Sequence, residues 1–288
     1  MKGELKAHQL SQKVECFTIE EAKSIFFDFF ESRQSEADYF IFFPKNFDAC
    51  EPVTIFQPGK YEIYCSSGVN ANIIFEPLES GSYCLSAQVE ENASLKRLFL
   101  GKQKDQIELK SEYTLKKNAR LTHMSWIDSV SQTTESIKAT IVGEGAEADL
   151  IGGWHLMERE AIRTTVLVEH RAAYARSNQL FKGVVEESAR SWFEGSIYVA
   201  KGAHKTESFQ KNNNVVFGRA QAKTAPGIQV YHDDVKASHG ATIAKPSKED
   251  LFYLLSRGVD ENRAKQILIE SFLGEIRGKI PFFAKRSA

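Results

Sequence analysis

The sequence predicts a mainly β protein, a β-solenoid with short helical segments at both ends, and three observations carry that expectation. From residue 52 onward the chain breaks into short β-rich runs (VTIFQ, YEIYCSS, ANIIFEPL, SYCLSAQV, QIELKSEYTL, ATIVGEG, RTTVLVEH, GSIYVAK, NVVFGRA and IQVYH) separated by small or turn-forming residues. No helical period of useful length interrupts them, so the crossover helices of a doubly wound α/β fold are missing. Small-residue steps also recur. Ala93, Ala119 and Ala146 are 26 and 27 residues apart, and Ala189, Ala203, Ala220 and Ala237 are 14, 17 and 17 apart. Such spacings suit stacked coils with tight corners, each coil burying its neighbour's apolar face. An antiparallel sandwich is the alternative that the strand runs alone leave open.

In chain order, residues 1–48 read as a helical cap segment. Thr18-Ile-Glu-Glu21 is a capping box, and the helix it opens carries Ile25, Phe26, Phe29 and Phe30 on one stripe. A short apolar strand, Tyr39–Phe43, ends at Pro44. Residues 49–245 form the solenoid core. Near its end, apolar positions move from even (Ile228, Val230) to odd (Val235, Ala237) numbers, which requires a corner at 232–234. Residues 246–288 are helical again. Ser247 caps LFYLLSR, which Gly258 stops. Asp260 caps a second helix with Ala264, Ile267, Leu268 and Phe272 on one face, expected to end at Gly274. Two such helices would cover the open edge of a solenoid.

Composition excludes several classes. Net charge is −1, so the basic footprint of a nucleic-acid binder is missing. No apolar run is long enough to span a membrane, and the polar start MKGELKAHQLSQKVECF predicts no secretory signal. Cys16, Cys50, Cys65 and Cys84 match neither a metal pattern nor a disulfide framework, which gives a reducing, cytoplasmic expectation. Neither G-x-S-x-G nor G-x-x-x-x-G-K-[ST] occurs, and adjacent Ser238 and His239 diverge on a strand. Asp233 and Asp234 read as a corner pair bonded to local backbone. His232 and His239 are too few for a metal site. Asn212–Asn214 suit stacked amides, and Trp126, Trp154 and Trp192 suit packing. No catalytic residue and no tightly bound cofactor is expected: the pattern favours an interaction or scaffold protein over an enzyme.

Specific motifs then carry a resemblance. VEHRAAYARSNQLFKGVVEESARSWFEGSIYVAKGAHKTESFQKNNNVVF, followed by DDVKASHGAT and LFYLLSRGVDENRAKQIL, resembles the SufB/SufD family of the SUF iron–sulfur cluster assembly system, on its SufD side, over about residues 115–275. The resemblance implies a right-handed parallel β-helix that pairs with a SufB-like subunit. It implies docking of a SufC-like ATPase on the C-terminal helices, for which Leu251, Phe252, Leu255, Arg257, Ile267, Leu268 and Phe272 are the candidates. It also implies that His239 faces a shared interface where a transient cluster is built, a partner cysteine completing the ligands. The family's usual cysteine before SHGAT is Ala237 here, so no thiolate role exists at that position. The alternatives are a homodimer that only recruits the ATPase, or a carbohydrate-active β-helix enzyme using Asp233 and Asp234.

Overall fold

The computed structural model describes residues 15–25, 36–45, 52–101, 106–128 and 131–280. It begins with β1 (Glu15–Thr18), α1 (Ile19–Ile25) and β2 (Tyr39–Phe43). The capping box forms, Thr18 N–H donating to Glu21 at 2.9 Å and Glu21 N–H to Thr18 Oγ1 at 3.4 Å. Phe26, Phe29 and Phe30 lie outside the described residues.

Strands then alternate between two sheets. Even-numbered β4 (Gly59–Cys65), β6 (Gly81–Val89), β8 (Gln106–Leu115), β10 (Gln132–Ile141), β12 (Ala161–His170), β14 (Arg190–Val199) and β16 (Gln221–Val230) extend β2. Odd-numbered β3 (Val53–Ile55), β5 (Asn70–Phe75), β7 (Ser94–Gly101), β9 (Arg120–Asp128), β11 (Glu147–Leu156), β13 (Arg176–Val185), β15 (Glu207–Val216) and β17 (Lys236–Ala244) form the facing sheet. All these neighbours pair in parallel, while β1 alone lies antiparallel, on β2. This is the parallel β-solenoid, and the antiparallel sandwich is excluded. The register offset grows from 22 residues (Tyr39 to Tyr61) to 31 (Arg190 to Gln221), so the coils widen along the chain.

The small-residue regularity has a physical basis at the corners. Gly68, Asn92, Asn118, Gly145, Tyr174 and Lys205 all have positive φ and stack along one edge. Asn92 N–H bonds to Lys117 O at 3.0 Å, Asn118 N–H to Glu144 O at 2.9 Å, and Asn118 Nδ2 donates to Asn92 Oδ1 at 3.1 Å. Each coil thereby satisfies the next, and the residue that follows the bend tucks inward. Ala93, Ala119, Ala146 and Ala175 are all buried there. The opposite edge repeats the device at Glu158, Glu187 and Gly218, placing Ala189 and Ala220 after the bend. Ala203 and Ala237 belong to neither ladder: Ala203 precedes the bend at Lys205, and Ala237 lies within β17. The spacings of 14 and 17 mixed two edges.

α2 (Lys248–Ser256) starts with Ser247 Oγ accepting from Asp250 N–H. It ends with Gly258 at φ 81, Gly258 N–H on Leu255 O and Val259 N–H on Leu254 O. α3 (Glu261–Lys279) is capped by Asp260 as expected, yet it runs through Gly274. Its buried stripe is Ala264, Ile269, Leu273 and Ile276, continued by Ile280, one step around from the predicted face. These residues pack on Leu98, Leu100, Met124, Trp126, Ile151, Leu180 and Val184, the outer side of the odd-numbered sheet. A glycine inside a helix costs about 1 kcal/mol against alanine, whereas burying one large aliphatic side chain stabilises by about 1.5–3 kcal/mol. The residues beyond Gly274 therefore outweigh it. Gly153 lets the helix approach, because a Cβ there would lie 2.8 Å from Trp126 and 2.9 Å from Ile276. α3 thus covers a sheet face, and among the described residues the open end is left bare.

Polar contacts fix the position of α3. Glu186, in a corner, takes His155 Nε2 at 2.8 Å on one oxygen and the Lys265 ammonium on the other. Burial pushes its carboxyl up, but the bonds from His155 and Lys265 outweigh that and hold it below the ordinary range. Glu186→Ala should cost about 1–3 kcal/mol, read as lost amide-exchange protection in α3. The strand amides should keep theirs, and equal loss in both would show that the contact does not act on the helix.

Candidate functional site: the open end of the solenoid

The last strands, β16 and β17, each pair on one side only among the described residues. Alternation assigns their faces. Ser208, Gln210, Asn212 and Asn214 of β15 are buried, and their Cα partners on β17 are Ala237, His239, Ala241 and Ile243. His239 therefore continues a lumen-facing column, but at the final coil nothing among the described residues covers it and it is exposed. The same column, traced back by register, contains Gln210, Gln179, Leu150, His123 and Arg97. Ala237 lies half-buried beside the same end.

Polar side chains gather in the lumen on the odd-numbered strands of the last coils. Ser177 Oγ stands 2.8 Å from His170 Nε2 and 2.7 Å from Ser208 Oγ. Asn214 Nδ2 donates to Asn212 Oδ1 at 2.8 Å, so two of the three consecutive asparagines are buried and bond to each other along one strand rather than from coil to coil. Gln179 Nε2 donates to Ser196 O at 3.4 Å, while the Gln210 side-chain amide, 3% exposed, makes no bond. Gln210 occupies space left by Gly195, where a Cβ would meet its Nε2 at 2.3 Å.

The corner at 231–235 separates β16 from β17 as the parity change predicted. Asp234 behaves differently from the expectation. Asp234 pairs with the Lys205 ammonium at 2.9 Å, and that hydrogen bond holds its carboxyl below the usual range. His232 Nδ1 accepts the Asp234 N–H at 3.0 Å. That nitrogen is thereby an acceptor already in use, and the ring lies tilted at 5.9 Å from that of His204. Among the described residues no group of three His, Cys, Asp or Glu side chains is placed to hold a metal. Trp126 and Trp154 are buried, but Trp192 is on the surface between Arg163 at 4.7 Å and Lys223 at 5.1 Å. Neither Asp233 nor Asp234 reaches the groove beside the open end.

The C-terminal candidates divide. α2 has no buried residue, and Phe252 is 73%, Tyr253 57% and Leu255 41% exposed. Arg257 lies over the Tyr253 ring at 5.3 Å. Leu251, Ile267 and Leu268 are half-buried, and Phe272 packs against the sheet under Lys182, whose ammonium is 4.8 Å from its ring. Large apolar side chains gathered on an exposed helix mark a contact surface.

Sequence reasoning missed the buried polar lumen residues Arg97, His123, Glu135, Gln179 and Gln210. Strand parity carries the signal: in β10 the inward positions are Thr133, Glu135, Ile137, Ala139 and Ile141, and a glutamate among them must face the core.

Residues 70–272 match the family model for the SUF system FeS cluster assembly SufBD core domain. The chain is 39% identical over 121 residues to the iron–sulfur cluster assembly protein SufD of Escherichia coli (strain K12), covering 42% of this chain and 29% of that protein. It is 39% identical over 119 residues to a SufBD family protein of Synechocystis, covering 41% and 26%. A SufBD family protein of Mycobacterium leprae is 27% identical over 229 residues, covering 75% of this chain and 58% of its own length. The matched region is thus less than two thirds of each of these relatives.

Proposed function

The chain belongs to the SufB/SufD family of iron–sulfur cluster assembly proteins, and from that premise we propose that it acts as a non-catalytic scaffold subunit in the cytoplasm. The bare end formed by β16 and β17 pairs with a SufB-like subunit, strand edge to strand edge. The exposed face of α2, with Phe252, Leu255 and Arg257, docks a SufC-like ATPase, and half-buried Leu251, Ile267, Leu268 and Phe272 support that face. The observation that carries the reading is His239, lumen-facing yet exposed on a strand that pairs on one side only among the described residues. An unpaired strand edge is a template for another chain, and one imidazole is one ligand of an incomplete set. The nascent cluster is cargo, bound transiently between subunits, with the remaining ligands supplied by the partner. ATP-driven association of two ATPases would pull on α2 and shift the paired end between two states.

His239→Ala tests the ligand role. The variant should fold and enter the complex as the native chain does, while cluster formation on the complex falls by about tenfold or more, as loss of a direct ligand should produce. Equal cluster yield would remove His239 from the site and leave this chain a structural partner.

A further inference from the structure

Beside the open end, on the outside of the odd-numbered sheet, the last turn of α3 and strands β13, β15 and β17 enclose a groove of about 490 Å³. That volume falls within the range of small-molecule sites. Its lining differs from the apolar contact that α3 makes elsewhere. Two ammonium groups (Lys211 and Lys279), two amides (Asn178 and Asn213) and two hydroxyls (Ser238 and Thr242) share it.

The single carboxylate in the groove is already committed. Glu275 is 2.6 Å from the Lys182 ammonium, which is 11% exposed and also donates to Phe272 O at 3.2 Å. Lys211 and Lys279 form no ion pair within the described residues; both act on the Glu275 carboxyl at longer range, and Lys279 also on Asp149. The groove is therefore net positive on a chain whose net charge is −1. Its floor includes the Phe209 ring, 45% exposed, next to Leu180. Exposed aromatic surface beside unused cations and unused hydrogen-bond donors is the pattern of a site for a flat or apolar anion.

We propose that this groove is a binding site for a small organic anion, its carboxylate or phosphate held between Lys211 and Lys279 and its apolar part lying on Phe209. Asn178, Asn213, Ser238 and Thr242 are the neutral groups within the same groove that can bond the oxyanion. Gln210, His239 and Gly240 border the groove as well, and anion binding by the isolated chain is read without cluster assembly.

The test uses the purified full chain and three probes by calorimetric titration: phenyl phosphate, benzoate and inorganic phosphate. Phenyl phosphate should bind saturably, and more tightly than inorganic phosphate. Lys211→Gln with Lys279→Gln should weaken it by about tenfold or more, which is about 1.4 kcal/mol or more. Phe209→Ala should weaken phenyl phosphate but leave inorganic phosphate unchanged. Ser238→Asp, which places a negative charge in the groove, should have the effect of the double lysine variant without removing either lysine. Benzoate binding as tightly as phenyl phosphate would identify a carboxylate ligand, and weaker binding a phosphate. No saturable binding of any probe up to about 10 mM, or binding unaltered in the lysine and Ser238 variants, would overturn the proposal.

Discussion

Glu135→Ala should destabilise the protein by about 3–5 kcal/mol, the usual cost of stripping one partner from a buried charge. Glu135 is 1% exposed and Arg97 is 1% exposed, both inside the solenoid. The Arg97 guanidinium lies 5.2 Å from the Phe75 ring and 5.3 Å from the Phe99 ring, and its Nη1 is 3.3 Å from His123 Nε2. Arginine only donates, so His123 Nε2, which also lies 3.5 Å from a Glu135 oxygen, accepts the closer guanidinium N–H and Nδ1 carries the proton, facing the Tyr113 hydroxyl at 2.9 Å. Glu135 receives Ser125 Oγ at 3.3 Å and Thr164 Oγ1 at 3.5 Å, and it is the carboxylate that balances Arg97. Without it the guanidinium remains buried with aromatic faces and a neutral imidazole as its only compensation. The double replacement Arg97→Met with Glu135→Leu removes both charges and should be neutral or stabilising, by up to about 4 kcal/mol. Denaturant midpoints of the three proteins check this. A Glu135→Ala loss below about 1 kcal/mol would mean that Arg97 is solvated in the fold.

The second large effect is with pH. Burial first, with Arg97 adding to it at His123, depresses both His123 and His170 from 6.5 to about 4. Both are therefore neutral in the folded chain above about pH 4, while the unfolded chain protonates them near pH 6.5. Between those values the unfolded state binds more protons, so stability falls as pH falls. Each histidine contributes a slope of roughly 1 kcal/mol per pH unit and a total of roughly 3 kcal/mol. Below about pH 4 the folded state protonates as well and their contribution levels off. His170→Gln keeps a polar group opposite Ser177 and should flatten the slope by about half. A denaturation midpoint that is constant from pH 6.5 to 5, or an unaltered slope in His170→Gln, would contradict the assignment.

The sequence showed the strands because alternation and corner residues are local signals. The capping box at Thr18, the caps at Ser247 and Asp260, the stop at Gly258 and the corner at 232–234 all depend on neighbours within a few residues, and all appear in the structure. The solenoid itself was legible in Ala93, Ala119 and Ala146 because every coil reuses one bend. Long-range packing was not legible. Gly274 looks like a helix end until the sheet beneath Ile276 and Ile280 is known. The buried face of α3 turns away from Ile267 and Leu268 because Ile269 and Leu273 join the buried cluster that contains Trp126 and Val184. Asp234 pairs with Lys205, 29 positions away, rather than with its own backbone. Glu135 and Gln210 look like surface residues to composition and like core residues to parity, and only the register decides between them. His239 was picked out through motif resemblance, and the structure adds its direction, toward the lumen at an uncovered coil.

The scaffold reading is tested most directly by mixing the purified full chain with the SufB-like subunit and the SufC-like ATPase of the same cells, and measuring assembly mass by light scattering. The account predicts one complex containing all three proteins. Ile243→Glu, on the bare strand, should release the SufB-like subunit alone, and Phe252→Ala should release the ATPase alone. A chain that stays separate from both partners, or a complex indifferent to both substitutions, would contradict it.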